Sequence, residues 1–224
     1  VAPNGLVWFL EQDANKLAEF NPGATTFDEH PYIRANAGLE DLVAINNDQI
    51  QFTAPLLDEI AKYIPSSDQF APVSTRPPNS STAFAEPMGI TADSMGAVWI
   101  TSFADSYIGR FAGGTTGNFR WTQTPGPASG ERPDSGPAQI AFYNAGQQWR
   151  LFYSEYNTGR ISLLTTLTNS GPSGAVTYPL SSSAAKPWGV DVDDDGCAWF
   201  ALTGVNAVAE WCAPSALRTH LPSV

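Results

Sequence analysis

Apolar residues in this chain fall into two textures that alternate from end to end. The first is a short run of consecutive large apolar residues: Leu6-Val-Trp-Phe-Leu10, Ile50-Gln-Phe-Thr53, Val98-Trp-Ile-Thr101, Leu151-Phe-Tyr-Ser154 and Ala198-Trp-Phe-Ala201. Runs this short, bounded by Gly, Asp and Pro, predict strands, and their unbroken apolar character predicts burial on both faces. The second texture alternates apolar with polar positions, as in Lys16-Leu-Ala-Glu-Phe20, Glu59-Ile-Ala-Lys-Tyr63, Tyr107-Ile-Gly-Arg-Phe111, Thr158-Gly-Arg-Ile161 and Ala207-Val-Ala-Glu-Trp211. That period of two predicts a strand nearer solvent. A weaker segment ending in proline follows, for example Trp121-Thr-Gln-Thr-Pro125 and Val176-Thr-Tyr-Pro179. Proline suits an outer edge, where no ladder donor is needed.

The textures repeat. Trp8, Phe52, Trp99, Phe152 and Trp199 occupy equivalent places at intervals of roughly 47 residues. Two units are clearest: Pro87-Met-Gly-Ile-Thr-Ala-Asp-Ser-Met-Gly-Ala-Val-Trp-Ile-Thr101 and Pro187-Trp-Gly-Val-Asp-Val-Asp-Asp-Asp-Gly-Cys-Ala-Trp-Phe200. Each opens with a Pro-x-Gly strand and passes through an Asp/Gly turn, Asp93 to Gly96 or Asp193 to Gly196, of hairpin composition. The run Asp191, Asp193, Asp194 and Asp195 lacks the spacing and distal Glu of a calcium loop, so it reads as turn chemistry. Units that cannot bury both faces alone stack radially. The expectation is therefore one all-β domain over 1–224: a five-bladed β-propeller of four-stranded antiparallel blades at about 5–34, 35–78, 79–127, 134–180 and 184–224. The first blade lacks a Pro-x-Gly strand. Pairing of the C-terminal Arg218 to Val224 segment with that blade is the favoured closure, because an open ring would expose an apolar sheet face and an unpaired edge. A rudimentary strand at Val1 to Asn4 and a trimmed chain are the alternatives.

Composition narrows the partners. With 11 basic and 22 acidic side chains the net charge is −11, which opposes binding to a phosphate backbone or an anionic membrane. No apolar run approaches the roughly 20 residues that span a bilayer. Cys197 and Cys212 flank a predicted hairpin centred near Gly204 and Val205, which would set them opposite each other and predicts a cross-strand disulfide. A disulfide belongs to an oxidising compartment, and Asn79-Ser-Ser81 is an N-glycosylation sequon. The chain begins at Val1 without an initiator Met, and the expectation is a processed, secreted, monomeric protein.

The sentence Pro-x-Gly-Ile/Val, Asp-x-x-Gly-x-Val-Trp-Phe/Ile, Ile-Gly-Arg-Phe resembles the blades of streptogramin B (virginiamycin B) lyases and, more distantly, the regucalcin/gluconolactonase and NHL propellers. The resemblance covers nearly the whole chain, although those lyases have seven blades. It implies a central-channel site and a lyase or lactonase chemistry in which a base removes a proton α to a carbonyl and a metal stabilises the oxyanion. The inter-blade entries place Met88, Ala138 and Trp188 at the channel mouth. Loops after the aromatic strands add Phe103, Asp105, Tyr156 and Asn157 as ligand-binding candidates. Glu11 and Glu155 hold equivalent positions, Trp8-Phe-Leu-Glu11 matching Phe152-Tyr-Ser-Glu155, and resemble the Trp-Phe-Thr-Glu of the lyases. They are the candidates for catalysis and for a Mg²⁺ or Ca²⁺ ion, with Tyr156 as a further base. Against streptogramin lyase activity itself, the only histidines, His30 and His220, fall at the ends of fourth strands and none lies at the mouth. The expected ligand is a small molecule or saccharide. A non-catalytic, lectin-like propeller is the alternative, with Trp121, Tyr178, Trp188 and Tyr156 as stacking candidates. Its weakness is that the loops differ from blade to blade, where a lectin repeats its site.

Overall fold

The structure is a computed structural model and describes residues 1–76, 85–112, 119–125, 134–145, 148–168, 171–212 and 217–220. In chain order the strands are β1 (Val7–Glu11), β2 (Lys16–Asn21), β3 (Thr26–Pro31), β4 (Leu42–Asn46), β5 (Gln49–Ala54), β6 (Glu59–Ile64), β7 (Gln69–Ser74), β8 (Pro87–Ala92), β9 (Val98–Ser102), β10 (Tyr107–Phe111), β11 (Phe119–Gln123), β12 (Pro137–Ala145), β13 (Gln148–Glu155), β14 (Arg160–Thr168), β15 (Gly171–Pro179), β16 (Pro187–Val192), β17 (Cys197–Leu202), β18 (Ala207–Cys212) and β19 (Leu217–His220). They form five antiparallel meanders, β1–β3, β4–β7, β8–β11, β12–β15 and β16–β19. The all-β propeller architecture is thus present, with four four-stranded blades and a first blade of three strands among the described residues. Asn79 lies outside the described residues.

Two local devices explain why the repeat has its particular letters. Asp93 Oδ1 accepts the backbone N–H groups of Met95 and Ala97, and its Oδ2 accepts the Trp99 indole N–H at 3.1 Å. Asp193 does the same with Asp195, Cys197 and Trp199. One carboxylate closes the hairpin and fixes the aromatic that follows it. These bonds hold the Asp193 carboxyl below the usual carboxylate range. The second device links neighbouring blades. Thr53, Thr101 and Ser154, each near the end of an aromatic strand, donate their hydroxyls to the carbonyls of Met88 (2.8 Å), Ala138 (2.7 Å) and Trp188 (2.6 Å) in the next blade's inner segment. The same hydroxyls accept N–H groups from Asp41, Gly89 and Gln139 in their own blade. This brings the inner segments so close that a Cβ on Gly89 would lie 2.8 Å from the Ala138 carbonyl oxygen, which explains the glycine at that position.

Burial follows position in the stack. β9 is wholly buried, as are most residues of β5 and the stretch Leu151 to Glu155 of β13. The end blades depart from that pattern: Trp199 and Val208 of the fifth are 37% and 41% exposed, and Phe27 of the first is 66% exposed. Inner strands pack in succession, β4 on β8, β8 on β12 and β12 on β16, while no strand of the first sheet packs along the fifth among the described residues. Among the described residues the C-terminal segment does not close the first blade: β19 pairs with β18, from Val208↔His220 to Trp211↔Leu217. Residues 2–6 form a turn, with the Gly5 N–H on the Ala2 carbonyl and the Ala2 N–H on the Leu6 carbonyl, rather than a strand.

The cross-strand disulfide is present. Cys197 and Cys212 are direct partners across β17 and β18, with Cα atoms 4.1 Å apart. Among the described residues no helix is long and apolar enough to cross a membrane.

Candidate functional site

The loops that leave each aromatic strand are tied to the segment that enters the same blade. Phe103 donates its backbone N–H to the Glu86 carbonyl, Tyr156 to that of Gly136, and Thr203 to that of Lys186. Glu86, Gly136 and Lys186 each precede the blade's opening proline, and each has positive φ (51°, 55° and 47°). This kink and its hydrogen bond tie the loop after the aromatic strand to the entry of the same blade. At Gly136 the absence of a side chain is required: a Cβ would lie 2.7 Å from Asn157 Nδ2 and 3.2 Å from the Phe103 ring.

Three aromatics from three successive blades meet there. Phe103 lies 6.1 Å from Tyr156 and 6.2 Å from Trp188, and Tyr156 meets Trp188 edge to face at 5.4 Å. All three are half-buried, so each keeps ring surface open. The Lys186 ammonium sits 4.7 Å over the Tyr156 ring, a contact that holds a cation beside the aromatic cluster. Asn157 donates to Asp134 Oδ1 at 3.0 Å beside it. Of the remaining candidates, Met88 is half-buried with its carbonyl engaged by Thr53, and Asp105 is buried at 1% exposure.

The two glutamates sit in different surroundings. Glu155 is fully buried, and its carboxylate accepts from Arg160 Nε at 2.9 Å and from Arg160 Nη2, from Ser162 Oγ at 2.5 Å and from Thr158 Oγ1 at 3.3 Å. To hold a cation it would have to give up a buried, hydrogen-bonded ion pair, which is strongly unfavourable. Glu11 ends β1 opposite Lys16, on the half-exposed first blade. Neither belongs to a group of three metal-capable side chains among the described residues. Trp121 packs on Phe119 and under Gly109, and Tyr178 packs on Trp211, so both serve blade packing.

Sequence reasoning missed Glu40, Asp41 and Lys186. Glu40 accepts a hydrogen bond from Gln12 Nε2 at 3.2 Å, and burial raises its carboxyl above the usual range. Asp41 is pushed up to about 6, chiefly by burial, although its two oxygens accept backbone N–H groups from Ile90 and Leu42. The signal was a break in the repeat: Leu42↔Phe52 and Ile90↔Ile100 are equivalent rows, so Glu40-Asp41 stands where the clear repeats read Met88-Gly89 and Trp188-Gly189.

The fold is that of a propeller-type protein in which three successive blades bring Phe103, Tyr156 and Trp188 together. Solved structures with this fold include virginiamycin B lyase from Staphylococcus aureus, with a TM-score of 0.80 and 20% identity over 99% of this chain and 68% of that one. A streptogramin B lyase matches at 0.79 and 23% identity, over 99% of this chain and 67% of that one. A nidogen/laminin complex contains a chain matching at 0.72 and 15% identity, over 99% of this chain and 77% of that one. No protein-family model and no curated protein sequence matches the chain. The likeness to streptogramin lyases expected from the blade motifs is therefore present in three dimensions, at identities that define the fold alone.

Proposed function

We propose that this protein binds a small molecule or saccharide over the Phe103–Tyr156–Trp188 cluster, and that the ligand carries an apolar ring face and an anionic or hydroxyl-rich edge. The observation that carries this reading is the convergence of three half-buried rings with the Lys186 ammonium beside them. Ring faces stack on aromatic side chains, and a cation orders an adjacent carboxylate or hydroxyl. The fold is compatible with several roles, since the neighbours include lyases and a component of a nidogen/laminin complex. A glycan array combined with a panel of lactones, uronates and streptogramin-type cyclic peptides tests the reading. A ligand that binds the wild type and loses at least tenfold in affinity on Trp188→Ala supports it; ligands whose affinity ignores both Trp188→Ala and Tyr156→Ala refute it.

A catalytic reading, a lyase or lactonase acting on the same ligand, is favoured by the raised carboxyl of Glu40. Burial raises the Glu40 carboxyl above the usual carboxylate range, and a more basic carboxylate is a better proton acceptor. On this reading Glu40→Gln abolishes turnover of a bound lactone or uronate, followed by mass spectrometry, while binding survives. Mg²⁺ or Ca²⁺ at Glu11 and Glu155 has no part in it, given the engagement of Glu155 with Arg160. The disulfide supports secretion into an oxidising compartment.

A further inference from the structure

A second constellation lies away from the mouth, between the outer strands of the first two blades. Glu19 and Asp28 are direct partners across β2 and β3, and His30, opposite Leu17, lies two residues along β3 from Asp28 on the same face. One ligand atom of each lies within 4.8 Å of the others. They line a recess of about 390 Å³ with Trp8, Tyr63 and Asp68. None of the side chains lining it is Lys or Arg, although Glu29 at its rim is paired with Lys16.

Two polar atoms of side chains that line this recess are buried without a protein partner: His30 Nε2 and the indole Nε1 of Trp8, a residue 6% exposed. The other imidazole nitrogen is held. His30 Nδ1 lies 3.2 Å from Asp68 Oδ1 and 2.8 Å from the Tyr63 hydroxyl, which itself donates to Asp68 at 2.9 Å. With the Nδ1 proton given to Asp68, the lone pair sits on Nε2. A carboxylate behind a histidine is the usual support for a metal-bound imidazole, setting tautomer and ring orientation. Burial of an imidazole nitrogen and an indole N–H without partners is costly, so the recess calls for an occupant that accepts one lone pair and offers an acceptor nearby.

We propose that Glu19, Asp28 and His30 form a binding site for a divalent first-row transition cation, with Zn²⁺ as the reference ion and Asp68 as the positioning residue. One nitrogen and two carboxylates favour this class over Ca²⁺ or Mg²⁺, which prefer all-oxygen sites. Three protein ligands leave a fourth position for water. The cation would clamp the outer edges of β2 and β3 against the second blade through His30 and Asp68. This proposal is independent of the ligand site at the mouth.

Calorimetric titration of the chelator-treated, disulfide-intact protein with ZnCl₂ tests it, joined to ¹⁵N-edited NMR of the two imidazoles, His30 and His220. One equivalent of Zn²⁺ is expected to bind and to shift His30 Nε2. Asp28→Asn, on an exposed strand position, should weaken binding at least tenfold; His30→Gln should abolish it; Asp68→Asn should weaken it by about 10–100-fold. No zinc binding by folded wild type, binding equal in wild type and Asp28→Asn, a shift confined to His220, or preference for Ca²⁺ over Zn²⁺ would each overturn the assignment.

Discussion

Replacing Thr101 by valine removes one oxygen and changes little in shape, yet it cuts the link between two blades. Thr101 is fully buried. Its hydroxyl accepts the Gly89 N–H at 2.8 Å and donates to the Ala138 carbonyl at 2.7 Å. Valine leaves both backbone groups without that partner in a site water does not reach. A buried group left unmade costs about 1–3 kcal/mol; two such groups, less the small gain from burying a methyl in place of a hydroxyl, give about 2–4 kcal/mol. In a protein of this size each kcal/mol moves the melting temperature by roughly 2–4 °C, so the expected drop is roughly 5–15 °C. Thr101→Ser keeps the hydroxyl and loses one methyl, about 1 kcal/mol. Thermal unfolding followed by far-UV circular dichroism, with calorimetry on the same samples, would separate the two. A valine variant as stable as the serine variant would refute the idea that these hydroxyls join the blades.

Two other perturbations have defined signs. Reducing Cys197–Cys212, or replacing both with serine, frees a 15-residue loop and should cost about 3 kcal/mol; urea unfolding with and without reductant would show a midpoint unchanged if the bond were idle. Asp41 is raised to about 6 in the folded chain, from an ordinary value of 3.8. A raised carboxyl stabilises the fold when protonated, so its contribution is present below about pH 4 and is lost as pH rises through 6. The stability difference between wild type and Asp41→Asn should therefore shift against the wild type across that window, and a pH-independent difference would contradict the assignment.

The blades were legible because strand texture is dictated by burial on two faces or one, and the Asp-x-x-Gly turn carries its own hydrogen-bond logic. The disulfide was legible for a similar reason: hairpin register alone sets Cys197 against Cys212. The convergence of Phe103, Tyr156 and Trp188 could be read from their equivalent places after each aromatic strand and at each blade entry. What sequence could not supply was partnership. Glu155 looks like a channel ligand until Arg160, five residues on and directly opposite in the ladder, takes its charge. Glu40 and Asp41 acquire raised pKa values through burial between blades, a quantity no local pattern encodes. The edge-hazard principle pointed the C-terminal segment at the first blade, whereas its described residues, β19, complete their own blade.

On the proposed reading, ligand is recognised at the Phe103–Tyr156–Trp188 cluster rather than on the blade surfaces. Crystals soaked with a library of aromatic, lactone and pyranose fragments would test it most directly. Bound fragments are expected to gather over Phe103, Tyr156 and Trp188, with acidic groups turned toward Lys186. Fragments that collect elsewhere and leave these three rings bare would contradict it.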